Sequence, residues 1–289
     1  MASRKTRYDV RLELVRYALV ADWLFAAALA VQPVTGAQQQ SSARAGWPCG
    51  ARLDPSYFQV AEGTGGQLLL LGPDEIGDSA TLLTASGDHP QTIFRLAGAM
   101  NPGVHEFRVP IDSSVDSVMF SISVQCLQTA DVARPSGAPL AGGDGVTDLS
   151  NFRALRMMIV RRPEPGLWTL RVAGSGIAGV MVQARSALGI ADVRFAAAGS
   201  TAFTRDPLAG VENSVTITIR GRATQVEASL VDGAFRRVAA LPLTADESGG
   251  SYVSRFTPGA QGFRVLIEGK DADGVPFQRV QAPLLTPAR

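Results

Sequence analysis

Apolar and polar residues alternate between positions 161 and 186, in the sequence RRPEPGLWTLRVAGSGIAGVMVQARS. The apolar residues at every second position are Trp168, Leu170, Val172, Val180 and Val182. A period of two is typical of strands that turn one face to a core. Because Gly174, Gly176 and Gly179 lie between the two runs, the pattern predicts a β-hairpin that reverses at these glycines.

The same signature recurs along most of the chain, while helix signals are sparse. We predict further strands over 57–61, 67–71, 92–96, 106–111, 115–125, 152–160, 192–195, 214–220, 224–231, 235–241, 251–256, 262–269 and 276–285. Pro73, Asp74 and Glu75 predict the start of a short helix within 73–85. Segments 133–150 and 196–210 predict exposed loops, the first because it is rich in Gly, Pro and Asp.

These elements predict an all-β chain of two β-sandwich domains. We assign residues 47–195 to a first sandwich, of the jelly-roll or galactose-binding-like kind. The strands after residue 196 repeat at the short, even spacing of an immunoglobulin-like sandwich, which we assign to 196–289.

The first 37 residues have the layout of a secretory signal. Five basic residues precede the apolar run WLFAAALAV, and Thr35 and Ala37 are small residues at the spacing of a cleavage site. We predict a signal peptide with a helical leader over 1–37, cleaved near Ala37, and a disordered linker over 38–46. The alternative is an uncleaved anchor, although Asp22 interrupts the run and leaves it short of roughly 18–20 apolar residues. The expected location is secreted or periplasmic, with no membrane span after cleavage.

The charge balance argues against nucleic acid as a partner. The chain has 27 basic and 26 acidic residues, and removal of residues 1–37 leaves a net charge of −1. Binding to nucleic acid or to an anionic membrane requires a basic excess that this segment lacks.

Cys49 and Cys126 are the two cysteines of the chain. In an exported protein they predict one disulfide, which closes a long loop and limits the freedom of the unfolded chain. Metal or redox chemistry is the weaker interpretation, because there is no CxxC spacing and no nearby histidine. Free or intermolecular thiols remain the alternative.

We find no catalytic constellation in the sequence and predict that the protein is not an enzyme. GSGIAG at 174–179 fits GxGxxG, but a strand follows it, whereas a dinucleotide site needs a helix there. No GxSxG elbow exists. His89 and His105 lie beside no nucleophile motif and are expected at the surface. An exported hydrolase is the remote alternative.

Two acidic loops contain the hard oxygen donors that calcium binds: Asp144 with Asp148, and Asp271 with Asp273. Neither continues into an EF-hand loop with its distal glutamate. The second loop lies between two predicted strands, where Asp-Gly favours a hairpin turn. We predict no cofactor, with calcium at these four aspartates as the alternative.

Aromatic rings are the other candidate chemistry, because they stack on sugar faces. The candidates are Trp47, Tyr57, Trp168 and Tyr252. Alternation places Trp168 in the core and Tyr252 on a strand face, so only Trp47 is expected to be exposed. One exposed ring does not define a glycan site, and the partner is predicted only as a protein or a glycan.

Several segments resemble hemicentins and related extracellular proteins. Residues 57–75, with AEGTGGQLLLL, are similar to the last strand and helix of a von Willebrand factor A domain. The segments FRVPIDSSVDSVMFSIS, RRPEPGLWTLRVAGSG, VQARSALGIADVRF and DPLAGVENSVTITIRG resemble, in the same order, the region after that domain in hemicentins. The resemblance implies adhesion or matrix-like scaffolding.

One departure from that family limits the inference. A complete von Willebrand factor A domain binds a cation through a DxSxS loop, and the nearest string here is Asp112-Ser113-Ser114-Val115-Asp116, whose last residue is not serine. We interpret it as a turn and do not carry over metal-dependent adhesion. The sequence thus predicts an exported interaction or adhesion scaffold that uses its strand edges and the 133–150 loop. A carbohydrate- or calcium-dependent binding module is the alternative.

Overall fold

The structure is a computed structural model that describes residues 28–29, 49–87, 89–143, 145–149, 152–246 and 250–288. The predicted signal peptide, apart from residues 28–29, and the predicted linker over 38–46 therefore lie outside the described residues. Within the described ranges, no helix has the length and apolarity needed to cross a membrane.

Helices occur only near the start of the described chain. They are α1 (Pro55–Thr64), a 3-10 helix (Ile76–Asp78) and α2 (Ser79–Gly87). The first strands are β1 (Ala28–Leu29), β2 (Leu68–Leu69), β3 (Gln91–Ile111), β4 (Val115–Val124), β5 (Thr129–Ala133), β6 (Val146–Asp148), β7 (Leu155–Arg161) and β8 (Gly166–Ser186). The later strands are β9 (Gly189–Ala197), β10 (Asn213–Arg220), β11 (Thr224–Val231), β12 (Arg237–Leu241), β13 (Thr244–Ala245), β14 (Ser251–Phe256), β15 (Arg264–Lys270) and β16 (Pro276–Val280). The predicted all-β sandwich class is confirmed.

The first sandwich is one antiparallel sheet that folds over on itself. Its strand order is β3-β8-β4-β7-β6, and β5 also pairs with β8. The first half of β8 pairs with β5 and its second half with β4, so β8 passes from one layer to the other. The two layers enclose a core in which the rings of Phe120 and Trp168 lie 5.4 Å apart.

The glycines at 174–179 form a corner of this sheet, and the predicted hairpin reversal there is wrong. Strand β8 continues through them and pairs with β3 along its length. Their role is close approach: a Cβ at Gly174 would lie 2.8 Å from the Cys126 oxygen, and one at Gly176 2.7 Å from Gln125 Oε1. A sequence pattern cannot distinguish a glycine needed for a turn from one needed for space.

Residues 55–87, which we call the helical cap, cover the outer face of the first sandwich. Leu69, Leu71 and Leu82 of the cap pack against Met119 and Met157 of the sheet. The predicted strand at 57–61 is wrong, because the flanking residues favour a helix. Asp54 Oδ1 accepts a hydrogen bond from the Ser56 N–H, Pro55 occupies the first turn, and Gly65 ends the helix in the left-handed region at φ 77°.

Among the strands of the described residues, β1 and β2 form the one parallel pair. Leu68, Leu69, Leu70 and Leu71 are all buried. Continuous burial on both faces is typical of a strand inside an α/β layer.

The segment 133–150 contains more regular structure than the predicted loop. Strand β6 lies within it and pairs with β7. Pro139 forms an antiparallel bridge with Ala133, and Leu140 is buried in the core of the first sandwich.

The second sandwich consists of two antiparallel sheets, with strand orders β13-β14-β10-β9 and β12-β11-β15-β16. Its core includes Phe195, Ile217, Val265, Ile267 and Phe277. The burial of β10 alternates strictly, as period two requires for a strand with one face in the core.

The two sandwiches are in direct contact. Gln278 Nε2 of β16 donates a hydrogen bond to the Ile93 oxygen of β3 at 2.8 Å. The rings of Phe94 and Phe235 lie 4.5 Å apart at the same junction.

Candidate functional site

A groove of about 250 Å³ opens at one side of the first sandwich, beside β5. One wall is formed by residues 127–131, which include the start of β5. The other wall is formed by Phe152, Arg153, Leu155 and Arg156, which lead into β7. The lining combines apolar residues with polar and charged ones, so the groove offers both apolar contact and hydrogen bonding.

One wall of the groove includes the start of β5. Strand β5 pairs with β8 on one side, and on its other side the Leu140 N–H donates to the Val132 oxygen at 2.7 Å. Ala130 and Val132 are each only 2% exposed, so their main-chain groups are covered, whereas Thr129 and Asp131 are exposed at the groove.

The charged side chains at the rim are held by ion pairs. The guanidinium of Arg153 pairs with Asp74 of the helical cap. The main-chain N–H of Arg153 donates to Glu75 Oε1 at 2.9 Å. Arg156 Nη2 lies 3.3 Å from Asp148 Oδ2. Both pairs are partly exposed, so their side chains can exchange partners at little cost.

The predicted disulfide between Cys49 and Cys126 is present, with Cα atoms 4.7 Å apart. Cys126 directly precedes Leu127 in the wall of the groove, and Cys49 lies just before the helical cap. The disulfide therefore fixes the start of the cap to the end of β4, next to the groove.

The four aspartates predicted as calcium ligands lie in different parts of the structure. Asp144 lies outside the described residues, and Asp148 is in β6 with Arg156 as its partner. Asp271 and Asp273 lie in the predicted turn between β15 and β16, where Gly274 has a φ of 80°. Over the described ranges, no group of three or more His, Cys, Asp or Glu side chains is placed to hold a metal ion.

The structure brings the turn at 112–114 together with the turn at 271–274, which the sequence did not predict. Ser113 Oγ lies 2.6 Å from Oδ2 of Asp271 and 2.6 Å from Oδ2 of Asp273, and the Ser113 N–H donates to Asp271 Oδ2 at 2.8 Å. Burial raises the pKa of Asp271, but hydrogen bonds from Ser113, Val275 and Asp273 outweigh burial and hold that pKa below its ordinary value. The carboxylate of Asp271 thus links the two sandwiches in its charged form.

Asp112 of the same turn forms a buried ion pair. Its Oδ2 lies 2.7 Å from Arg279 Nη1, and both side chains are at most 1% exposed. Arg279 also donates to the Leu188 oxygen at 3.0 Å and to Ser186 Oγ at 2.7 Å. Burial lowers the pKa of Arg279, and Asp112 opposes that shift. The predicted turn that begins at Asp112 is present, and the Asp112 carboxylate is the counter-charge of the buried Arg279 guanidinium.

A second buried cluster connects the helical cap to both sandwiches. Glu62 of α1 pairs with Arg95 of β3 at 2.8 Å and with Arg264 of β15 through its other oxygen. Arg95 donates in addition to the main-chain oxygens of Ala61, Gly65 and Gly66. Burial lowers the pKa of Arg95 to about 10, with the charge of Arg264 adding to the shift and Glu62 opposing it.

Sequence reasoning missed these buried arginines, although a signal existed. Arg95 interrupts the apolar run Ile93-Phe94-Arg95-Leu96, and Arg264 stands directly between Phe263 and Val265. A charge inside an apolar strand is almost never fully buried unless it is paired. Such an interruption therefore predicts a distant counter-charge, but not which one.

The other single residues of interest are mostly structural. Trp168 is fully buried, as predicted, and its Nε1 donates to the Glu164 oxygen at 2.9 Å. The expected surface position of His89 is wrong: it is 4% exposed and lies 2.6 Å from Ser117 Oγ through Nε2. His105 is partly exposed within β3. Trp47 lies outside the described residues.

Comparison with known proteins points to hemicentins. Residues 92–187 match the family described as "Hemicentin galactose-binding domain-like". Hemicentin-2 of Mus musculus is 26% identical over 252 residues, which cover 80% of this chain and 5% of that protein. Hemicentin-1 of Mus musculus and that of Homo sapiens are each 22% identical over 241 residues, covering 78% of this chain and 4% of each relative. The chain is thus similar to hemicentins over most of its length but spans only a small part of theirs.

Proposed function

We propose that the protein is an exported, non-catalytic interaction or adhesion module that binds a protein or glycan outside the cytoplasm. The observation that carries the proposal is the groove beside β5, in a chain whose similarity is to hemicentins. A groove with both apolar and polar residues in its lining can bury part of a ligand and hydrogen-bond to it.

The finer organisation belongs to the same proposal. We assign residues 47–195 and 196–289 to two domains, the second immunoglobulin-like, and residues 57–75 to the tail of a von Willebrand factor A domain. The order α1, β2, α2 supports that tail. Cleavage of a signal peptide near Ala37 would remove β1 and leave that edge of β2 open.

A carbohydrate- or calcium-dependent module is the second candidate. The matched family description names a galactose-binding domain-like fold, and Asp271 and Asp273 place two carboxylates around one serine hydroxyl. Calcium would be held by oxygen donors of this kind, with Asp144 and Asp148 as the other proposed pair.

The test is direct binding of the full chain to immobilised extracellular matrix proteins and to a glycan array, each in calcium and in EDTA. We expect saturable binding to at least one matrix protein that is unchanged by EDTA. Binding only to glycans, or only in calcium, would favour the second candidate. If the second candidate holds, calcium at about 100 times its Kd should also add roughly 2.7 kcal/mol to the free energy of unfolding, which a thermal melt detects.

A panel of ester, glycoside and peptide substrates serves as the complementary assay. Turnover that survives purification of the folded chain, together with no binding in either array, would overturn the proposal and favour the hydrolase alternative. The same chain after thermal unfolding provides the negative control for all arms.

A further inference from the structure

We infer that a basic surface beside the junction of the two sandwiches binds a sulfated polysaccharide. Its arginines lie at or just beyond the last residues of β7, β8 and β10: Arg161, Arg162, Arg185, Arg220 and Arg222. We call this surface the arginine patch. It is separate from the groove, because Leu155 of the groove and Arg161 are the two ends of β7, which spans 7 residues or roughly 20 Å.

Two arginines of the patch flank one serine across the sheet. Ser117 of β4 pairs with Arg161 of β7 on one side and with Arg185 of β8 on the other. Directly paired residues in antiparallel strands turn their side chains to the same face, so both arginines lie on one face with their Cα atoms about 10 Å apart. Both are exposed, and His89, whose Nε2 lies 2.6 Å from Ser117 Oγ, lies between them.

The second sandwich brings Arg220 and Arg222 to the same place. The Arg220 guanidinium donates to the main-chain oxygens of Ala187 and Ser186, at 3.4 and 3.3 Å, where β8 ends. Gly221 stays close to this segment, because a Cβ on it would lie 3.0 Å from the Ala187 oxygen. Arg222 follows directly and is exposed, so the two sandwiches contribute to one basic surface.

Positive charge is in excess at the patch. Four of its arginines form no ion pair among the described residues: Arg161, Arg162, Arg220 and Arg222. Asp116 of β4 lies beside them, since its main-chain oxygen accepts the Arg162 N–H at 2.7 Å. The carboxylates of Asp271 and Asp273 are occupied by Ser113 Oγ, at 2.6 Å each. The whole chain has a net charge of only +1, so the excess is local and attracts an anionic partner.

The residue type indicates which anion the patch recognises. A guanidinium presents a planar fork of N–H donors, which matches the oxygens of a sulfate or phosphate group. Because the arginines are spread over about 10 Å or more, a chain with repeated charges fits them better than a single ion does. The choice of sulfate rests on the proposed function, since a sulfated polysaccharide is a polyanion found outside the cytoplasm.

The test is binding of the full chain to a fluorescein-labelled heparin oligosaccharide, measured by fluorescence anisotropy. We expect saturable binding whose Kd rises about tenfold or more between about 50 and about 200 mM NaCl, because bound sulfates replace counter-ions. Desulfated heparin of the same length should bind about tenfold more weakly, or less tightly still, since it lacks the charges that the guanidinium groups bind.

The double variant Arg161→Gln with Arg222→Gln removes one cation of the patch from each sandwich. It should raise the Kd for heparin about tenfold or more. Arg108→Gln with Arg255→Gln is the matched control, because it removes two exposed positive charges from β3 and β14, where carboxylates pair with them. The control should change the Kd by less than about twofold. Arg161→Lys with Arg222→Lys keeps both charges and should restore part of the affinity.

If the glutamine variant of the patch does not fold, protection from phenylglyoxal tests the same surface on the unaltered protein. Phenylglyoxal modifies arginine side chains, and mass spectrometry of the digested protein locates the modified residues. Bound heparin should protect Arg161 and Arg222 and leave Arg108 and Arg255 reactive. Equal protection at all four positions would contradict a site at the patch.

Equal Kd values for the patch and control variants would overturn the inference, as would equal binding of sulfated and desulfated heparin. Single-stranded DNA or phosphatidylserine vesicles that bind as tightly as heparin through the same arginines would also overturn it, because the surface would then not select sulfated polysaccharides. Matrix-protein binding without heparin binding refutes the inference and leaves the proposed function standing. Loss of both kinds of binding refutes the proposed function as well.

Discussion

The junction between the sandwiches and the β5 side of the first sandwich use the same residue types in opposite ways. At the junction, Asp112 with Arg279 and Glu62 with Arg95 are buried and paired. Beside β5, Arg153 and Arg156 form partly exposed ion pairs at an open groove. The first arrangement closes a surface, and the second leaves one available.

The difference shows that charge alone does not identify a functional site. A buried ion pair is costly to break, because the remaining charge loses its partner without regaining water. An exposed pair contributes little and exchanges readily. In this chain the strongest electrostatic contacts hold the architecture, and weaker ones border the groove beside β5.

The largest effect should follow from Glu62→Ala, which leaves Arg95 and Arg264 buried without their counter-charge. We expect a loss of about 3–5 kcal/mol in the free energy of unfolding, measured by urea denaturation. Glu106→Ala is the control, because Glu106 pairs with Arg171 at the surface. An equal urea midpoint for both variants would contradict the distinction between the closed and open regions.

Removal of the disulfide in the Cys49→Ser and Cys126→Ser double variant should cost roughly 4 kcal/mol, from the freedom regained by the unfolded chain. The bridge closes a sequence separation of 77 residues. Urea denaturation with and without reductant measures the effect. Reductant should lower the stability of the wild type and leave the double variant unchanged. A wild type that is indifferent to reductant would refute the assignment.

Asp271→Asn should weaken the junction by about 1–2 kcal/mol at pH 7, through loss of charge-assisted hydrogen bonds. The folded-state pKa of Asp271 is lowered, so its contribution is present above the unfolded value of about 3.9 and is lost as the pH falls through the folded value. The free energies of unfolding of the wild type and of Asp271→Asn, measured by urea denaturation from pH 7 to pH 3, should therefore converge as the pH falls. Asp206→Asn, in an exposed loop, is the control. A stability difference between the two proteins that grows as the pH falls would show that folding does not lower the pKa of Asp271.

The smallest effect on stability should come from Arg153→Ala, because its ion pair with Asp74 is partly exposed and its main-chain hydrogen bond to Glu75 survives the change. We expect a change below about 1 kcal/mol in the free energy of unfolding. A larger loss would show that the charges beside the groove hold the architecture, and would remove the contrast with the junction.

Local patterns predicted the strands well, because alternation survives wherever one face is buried. Strands β11 and β14 have the predicted bounds, and Trp168 lies in the core as expected. The errors arise where one residue type serves two purposes. The glycines of β8 provide space at a corner, and the signals around Asp54 and Gly65 form the ends of a helix.

The candidate site was predictable only in part. The sequence indicated strand edges and the 133–150 segment as contact surfaces for a partner, and this stays a prediction. It could not indicate the groove, because the two walls are separate in sequence and meet only through the sheet. The meeting of Ser113 with Asp271 is likewise a consequence of how the sandwiches pack.

The pairing of Glu62 with Arg264 has a consequence for the order of events during synthesis. These residues are 202 positions apart, and the Leu284 N–H also donates to the Glu62 oxygen at 2.7 Å. At roughly 5–20 residues per second, a ribosome needs about 10–40 s to reach Arg264 after Glu62. The helix can therefore pair early with Arg95, only 33 positions later, whereas its contacts with Arg264 and Leu284 form only after the strands of the second sandwich have been translated.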